Sequence, residues 1–79
     1  MSTSEMEGVV RDAITEMFPL YRGAITADTS ARTVPGWDSL SHVDLVLLIE
    51  ERLGRKIDVA QTFRLKNVGE LVSYLEGGQ

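Results

Sequence analysis

The sequence of 79 residues contains no cysteine and a single histidine, His42. Without cysteine the chain has no disulfide, no thiolate metal ligand and no cysteine nucleophile. One histidine excludes a metal site built from several imidazoles. No apolar run approaches the roughly 20 residues that span a membrane, and the first residues lack the basic and apolar regions of a signal peptide. We therefore expect a cytoplasmic protein that makes no use of a membrane.

The excess of negative over positive charge is also small. Eight Lys and Arg residues against 12 Asp and Glu residues give a net charge of −4, which argues against nucleic acid as the main partner. The hydrophobic fraction of 43% and the charged fraction of 25% are ordinary for a globular domain. A chain of this length buries only about 60% of the surface that its unfolded form exposes. We expect one small domain, residues 1–79, too small to enclose a deep active site.

Helical periodicity runs through most of the chain, and no stretch alternates as a strand does. Pro19 ends the first apolar stripe, and Gly54 is a natural residue after the end of the second helix. The segment between the first two helices holds both prolines and no sustained period, which is typical of a loop. The sequence predicts an all-α fold, a four-helix bundle of three main helices and a short third one. The predicted elements are helix 1 at about residues 4–18, a loop at 19–37, helix 2 at about 39–53, helix 3 at about 59–63 and helix 4 at about 68–76.

The second predicted helix carries two apolar stripes. One is wide enough to face the core and consists of Leu45, Val46, Ile49 and Leu53. The other, here called the docking strip, consists of Leu40, Val43 and Leu47. It is bordered by the carboxylates of Asp44, Glu50 and Glu51. In one interpretation the helix is the most buried of the bundle and packs with both stripes; in the other the docking strip is exposed, and its acidic border attracts basic partner surfaces.

Ser39 lies where the long loop meets the start of the second helix. Asp38 or Ser39 caps that helix, and a serine in this position is most often a cap whose hydroxyl oxygen accepts a backbone N–H. Catalysis by Ser39 with His42 is a weak alternative, because no third residue orients the imidazole and no oxyanion site is apparent. His42 also falls on the core side of the helix, which is more typical of a half-buried packing residue.

The residues around Ser39 form a recognisable string. Gly36-Trp37-Asp38-Ser39-Leu40 is followed by Val43-Asp44-Leu45-Val46 and Ile49-Glu50-Glu51. This string closely resembles the acyl and peptidyl carrier proteins, whose signature is Asp-Ser-Leu at the start of the second helix, followed by an apolar and acidic helix. The resemblance spans essentially the whole chain. It continues in the loop stretch from Ile25 to Ser30, in Ile57 and in the closing pattern Val68-x-x-Leu71-Val72-x-Tyr74-Leu75.

The resemblance implies a specific chemistry. In such carriers the motif serine, here Ser39, receives a 4′-phosphopantetheine arm from coenzyme A through a phosphopantetheinyl transferase. The thiol of the arm carries acyl or aminoacyl groups as thioesters, and the protein itself catalyses nothing. A helix N-terminus suits a phosphodiester, because it supplies free N–H groups and a positive partial charge. By the same resemblance Asp38 helps to position the metal and the arm during modification, whether or not it also caps the helix.

The resemblance also gives both stripes of the second helix a role. The docking strip and its acidic border, Asp44, Glu50 and Glu51, match the face that carriers present to basic patches on their enzymes. The space between the helices is where some carriers shelter an acyl chain. The core residues that would line this space are Leu45, Ile49, Ile57, Leu65 and Leu71.

The chain departs from the carriers of primary fatty acid synthesis, which are usually much more acidic than −4. Ser41 and His42 occupy positions where an acid is common, and Arg52 interrupts the later acids. The segment Pro35-Gly36-Trp37 looks more like free-standing carriers of polyketide or nonribosomal peptide pathways. The residues that make the region after the second helix basic are Arg55, Lys56, Arg64 and Lys66. We therefore expect a carrier of such a pathway, with primary fatty acid synthesis as the alternative.

A function of another class is also compatible with these residues, namely a small helical adaptor without a prosthetic group that binds through the docking strip. As a carrier, the chain would meet the transferase, acyl- or aminoacyl-loading enzymes, synthases and tailoring enzymes, and we expect it to work as a monomer. Met1 and the short segment before the first helix favour a discrete protein over an excised domain.

Overall fold

Four helices make up the architecture of the protein, of which a computed structural model describes residues 3–77. Their bounds are α1 (Thr3–Met17), α2 (Ser39–Leu53), α3 (Val59–Thr62) and α4 (Val68–Glu76). No strand occurs in the described part of the chain, and the predicted all-α fold is confirmed. The first two and last two residues of the predicted domain lie outside the described residues. Within residues 3–77 no helix has the length and apolar character that crossing a membrane requires.

The core forms where α1 packs against both α2 and α4. Leu45, Val46 and Ile49 of α2 have no exposed surface, so the first stripe of this helix faces the core as predicted. Ile14 of α1 and Leu75 of α4 are equally buried. Burying a side chain of this size stabilises a fold by about 1.5–3 kcal/mol. The three long helices are therefore held together by one shared apolar cluster, and the short α3 packs on α2.

The helix ends follow local signals in the sequence. Phe18 N still donates to Ile14 O at 2.9 Å, but α1 ends one residue before its predicted end, because Pro19 cannot continue the ladder. Gly54 ends α2 with φ of 70°, a left-handed conformation that glycine adopts without strain, and its N–H donates to Glu50 O at 2.8 Å. The short third helix also ends one residue earlier than expected, at Thr62.

The connection between α1 and α2 is held by its own apolar side chains. Val34 and Trp37 are buried in the core, and Ile25 packs against it from the outside. Val34 O accepts a hydrogen bond from Trp37 N at 3.2 Å, and the residues between them are Pro35 and Gly36. Gly36 has φ of 91°, so this turn needs a glycine at its third position. The turn delivers the chain directly to the first residue of α2.

The same connection also completes the start of α4. Thr29 O accepts from Val68 N and Ala27 O accepts from Gly69 N, both at 2.8 Å. The first N–H groups of a helix have no partner inside the helix, and these two carbonyls supply one. Asn67 caps the helix by accepting from the backbone N–H of residue 70 at 2.9 Å. The loop is thereby fastened to α4 on one side and to α2 on the other.

Candidate functional site

Asp38 is the N-cap of α2, and Ser39 is the first residue of the helix. The Asp38 carboxylate accepts from Ser41 N at 3.0 Å, and the Ser41 hydroxyl accepts from Asp38 N at 2.8 Å. The same hydroxyl donates to Gly36 O at 2.7 Å, so one short side chain joins the loop to the helix. The interpretation of Ser39 as the cap is therefore wrong, because the backbone is still extended at Asp38 and the capping oxygen comes from there.

Ser39 presents a free hydroxyl on the first turn of α2. The residue is exposed, and its hydroxyl has no hydrogen-bond partner among residues 3–77. The N-terminus of a helix carries a positive partial charge, which stabilises a negatively charged group attached there. A primary hydroxyl in this position can be reached by the active site of another protein, and the partial charge of the helix end would favour a phosphodiester formed on it.

The carboxylate next to Ser39 stays ionised. The backbone N–H and then the hydroxyl of Ser41 hold the pKa of the Asp38 carboxyl below its ordinary value of 3.8. Hydrogen bonds to the charged form of an acid have this effect. Asp38 therefore presents a negative charge beside the free hydroxyl at neutral pH, in addition to capping the helix.

A row of four aromatic rings, here called the aromatic row, extends from the end of α1 to the end of α3. Its ring centroids are 5.9 Å apart between Phe18 and Trp37, 6.2 Å between Trp37 and His42, and 4.5 Å between His42 and Phe63. These separations lie in the range in which aromatic pairs attract each other. The aromatic row thus connects α1, the loop, α2 and the residue that follows α3.

His42 is held at both ring nitrogens. Trp37 Nε1 donates to Nδ1 at 3.1 Å, and Nε2 lies 2.7 Å from Thr62 Oγ1. Burial lowers the pKa of the His42 imidazole below its ordinary value. The half-buried setting is the predicted one, but neither partner was predicted, because residues 37 and 62 reach this helix only through the packing of other elements. With both nitrogens occupied, His42 is not available as a base for Ser39.

A cleft of about 280 Å³ opens beside Ser39. Two of the five residues predicted to line an acyl-chain space, Leu65 and Leu71, form part of its walls. Leu45, Ile49 and Ile57 do not, because they are closed into the common core. The aromatic and polar residues that line the rest of the cleft were not predicted from the sequence. The remaining lining residues are Ser30, Ala31, Trp37, Asp38, His42, Thr62, Phe63, Lys66 and Asn67.

The docking strip is largely open to solvent. Leu40 is 81% exposed and Leu47 is 48% exposed, whereas Val43 is half-buried. The interpretation in which both stripes of α2 pack into the core is therefore wrong. Leu40 lies next to Ser39 in the chain, so the free hydroxyl and an exposed apolar side chain share the first turn of the helix.

The acidic residues around the docking strip fall into two groups. Asp44 and Glu51 are exposed, and within residues 3–77 no basic side chain pairs with either. The Glu50 carboxylate instead accepts a hydrogen bond from Ile57 N at 2.6 Å and fixes the segment after α2. Arg52, which interrupts the acidic residues in sequence, forms an ion pair with Glu16 of α1. It is therefore directed away from the docking strip.

Comparison with known proteins agrees with this arrangement. The family described as "Phosphopantetheine attachment site" matches residues 9–75, which is most of the chain. The chain belongs to this carrier family. It is similar to the acyl carrier proteins of Thermotoga maritima, with 33% identity over 95% of this chain and 93% of the relative, and of Exiguobacterium sibiricum, with 37% identity over 85% of each. The acyl carrier protein of Lactobacillus acidophilus is 29% identical over 100% of this chain and 99% of its own length, and no solved structure matches.

Membership of the carrier family decides the class of function. The protein is a non-catalytic carrier, modified by a phosphopantetheinyl transferase, and it holds acyl groups on covalent 4′-phosphopantetheine. The family match favours this function over that of an adaptor without a prosthetic group. The start of α2 fits such an arm, because a free exposed hydroxyl lies at the mouth of a cleft with apolar walls.

Proposed function

We propose that Ser39 carries the arm and that the chain delivers a thioester-bound acyl or aminoacyl unit in a polyketide or nonribosomal peptide type pathway. The observation that supports Ser39 is its exposed hydroxyl, which is without a partner among residues 3–77. In the modification, a bond forms between Ser39 Oγ and the phosphorus next to the pantetheine of coenzyme A. The bond between the two phosphates breaks, the hydroxyl proton passes to a base of the transferase, and adenosine 3′,5′-bisphosphate leaves.

The two other serines near the cleft, Ser41 and Ser30, are poor acceptors of the arm. The Ser41 hydroxyl is engaged with Asp38 N and Gly36 O, and modification there would break the cap of α2. Ser30, across the cleft, is half-buried and accepts from Arg32 N at 3.3 Å. Ser39 combines exposure, a free hydroxyl and a place at the cleft, and neither of the other two does.

The test is the intact mass of the protein after incubation with coenzyme A and a broad-specificity phosphopantetheinyl transferase. The wild-type chain gains the mass of one arm, and Ser39→Ala gains none. Ser73→Ala, an exposed serine of α4, serves as the matched control and is modified like the wild type. An arm on the Ser39→Ala variant, or none on the wild type with several transferases, would overturn the assignment.

Partner enzymes are proposed to dock on the strip formed by Leu40, Val43 and Leu47. Two exposed leucines lie beside the carboxylates of Asp44 and Glu51, which pair with no basic side chain of residues 3–77, and together they form an apolar centre with a charged rim, as protein interfaces do. Glu50 belongs to the same face, but its carboxylate is held by Ile57 N, so we assign it a smaller electrostatic role. Charged rims mainly accelerate encounter, and salt weakens their effect.

Charge reversal tests the docking face. Asp44→Lys and Glu51→Lys are expected to slow the transfer of acyl groups from partner enzymes, most strongly at low salt, while the helical content is unchanged. Glu7→Lys places the same charge change on an exposed residue of α1, and we expect no effect on transfer. Transfer rates that respond equally to all three reversals, or not at all, would contradict a docking role for this face.

The assignment of a specialised pathway is supported by the modest net charge of −4 and by the Pro35-Gly36-Trp37 turn that leads to Asp38. We further propose that the chain acts as a cytoplasmic monomer. Loading of the modified protein by adenylating or acyl-transferring enzymes of polyketide or nonribosomal peptide pathways from the same organism would support the pathway. If the fatty acid synthase of the same organism elongates acyl chains on it with full efficiency, the alternative, primary fatty acid synthesis, is correct.

A further inference from the structure

His42 joins three parts of the protein that surround the cleft. Through Nδ1 it contacts Trp37 at the end of the loop, and through Nε2 it contacts Thr62 at the end of α3. We propose that His42 is a positioning residue: as a neutral imidazole it holds the loop and α3 against α2, and its protonation releases Trp37 and loosens α3 beside Ser39. The response of the His42 contacts to protonation is independent of the proposed function. Only their relevance to an arm on Ser39 rests on it.

The hydrogen bonds through His42 require one particular tautomer. The indole N–H of Trp37 can only donate, so Nδ1 must accept, and the ring proton of a neutral imidazole is then on Nε2. Thr62 Oγ1 donates to Val59 O at 2.6 Å, which leaves its lone pairs free to accept from Nε2–H. Trp37 thus donates to His42, His42 donates to Thr62, and Thr62 donates to Val59 O, so that every donor in the series has one acceptor.

Protonation interrupts this series at one point. An imidazolium carries a hydrogen on each nitrogen, so its Nδ1–H would face the indole N–H at a heavy-atom distance of 3.1 Å. Trp37 and His42 then have to separate. The Phe63 ring lies at a tilt against the imidazole, with 4.5 Å between the ring centroids, and also lines the cleft, so it loses this contact when the imidazole moves.

The charged groups near His42 do not compensate for a positive charge. Two charged residues line the cleft together with His42. They are Asp38, the N-cap of α2, whose carboxylate is engaged by Ser41 N, and Lys66 of the segment before α4. Among residues 3–77, the hydrogen-bond and ring contacts of the imidazole are with the uncharged groups of Trp37, Thr62 and Phe63. Desolvation is the cause that lowers the pKa of the ring, so burial and hydrogen bonding favour the same neutral form.

The effect of pH on stability has a definite sign. The pKa of His42 is lowered in the folded protein, so its contribution is fully present above the ordinary histidine pKa of about 6.5. That contribution is lost as the pH falls through the folded-state pKa. Each unit by which the folded pKa lies below the unfolded one corresponds to about a tenfold loss in the folding equilibrium constant.

Nuclear magnetic resonance tests the contact directly, because the chain has one histidine and one tryptophan. In the unmodified wild-type protein at neutral pH we expect the Nε2–H tautomer, and the Trp37 indole N–H resonance should shift on acidification with the same pKa as the imidazole. That pKa should lie below about 6.5. A proton on Nδ1, an indole resonance that ignores the titration, or a pKa raised by the aromatic faces would overturn the proposal.

His42→Gln provides the matched variant, since an amide can both accept and donate but does not titrate. Unfolding in urea should show a smaller loss of stability between about pH 7.5 and about pH 5.5 for this variant than for the wild type. Hydrogen exchange at Thr62 N, taken as the ratio of the wild-type rate to the variant rate, should rise as the pH falls over this range, and it should rise more than the same ratio for Leu71 N of α4, which reports the global loss of stability. Equal pH dependence in both proteins contradicts the proposal, whether or not Ser39 accepts an arm.

Discussion

Replacing Ser41 by alanine tests how the start of α2 is held in place. The Ser41 hydroxyl accepts from Asp38 N at 2.8 Å and donates to Gly36 O at 2.7 Å, and the substitution removes both hydrogen bonds. A typical intramolecular hydrogen bond contributes about 0.5–1.5 kcal/mol net. Alanine regains about 0.5 kcal/mol through its higher helix propensity. The expected loss in the free energy of unfolding is therefore about 1–2 kcal/mol.

The assay is thermal unfolding followed by circular dichroism, with urea unfolding as an independent measurement. For a domain of this size 1 kcal/mol corresponds to about 4–8 °C, so the melting temperature of Ser41→Ala should fall by roughly 5–15 °C. Ser73→Ala makes the same chemical change at an exposed position of α4, where the serine side chain makes no hydrogen bond within residues 3–77. It should leave the melting temperature unchanged or slightly higher.

The comparison of the two serine variants decides whether the capping geometry matters. If Ser41→Ala is no less stable than Ser73→Ala, then the hydrogen bonds from residue 41 to the loop contribute nothing and the reasoning is wrong. Because Ser39 is untouched in both variants, each should still be modified to completion by the transferase. A loss of stability with intact modification would separate the support of the helix from its reactive hydroxyl.

Four further substitutions have expected outcomes. Gly69→Ala places a Cβ 3.0 Å from that of Ala27 and should destabilise the fold by about 1 kcal/mol in urea unfolding. Gly8→Ala has open space around the new Cβ and should stabilise α1 by about 1 kcal/mol. A change of the same sign in both variants would refute the role of the contact with Ala27. Asp38→Asn still caps α2, so the free energy of unfolding should change by only a few tenths of a kcal/mol, while modification by the transferase becomes slower. If the rate of modification is unchanged, the role of Asp38 is limited to capping the helix. Glu50→Gln removes the negative charge of the group that accepts the hydrogen bond from Ile57 N, and the free energy of unfolding should fall by about 1 kcal/mol. An unchanged unfolding midpoint would show that the charge of Glu50 adds nothing to this hydrogen bond.

The helices were predictable because the signals that define them are local. In α2 the apolar stripe, the extended Asp38 before it and Gly54 after it lie within one continuous segment, and the structure has the helix at Ser39–Leu53. The same segment carries the string that resembles the carrier proteins, so the family and the candidate serine came from one place in the chain. The helical period placed Leu40 and Leu47 on one face, and of the two interpretations that it left open the exposed one is correct.

The surroundings of the serine could not be predicted in the same way. The contacts of His42 with Trp37 and Thr62 join a loop, a long helix and a short one, and the relative positions of these elements are set only by packing. Glu50 illustrates a second limit. Its position on the helix assigns it to the docking face, but its side chain is long enough to turn to Ile57 N instead. A helical period gives the direction in which a side chain leaves the helix, not the atom that it reaches.

The start of α4 depends on a part of the chain about 40 positions earlier, since Thr29 O and Ala27 O accept from Val68 N and Gly69 N. Bringing such distant segments together costs conformational entropy before any contact stabilises them. We therefore expect the contacts between the loop and α4 to form late in folding, after the local turns of the helices. A chain still emerging from the ribosome can form α1 and α2 locally, but its loop gains its final shape only after α4 has been synthesised. Maturation of the candidate attachment site is thus coupled to completion of the whole chain.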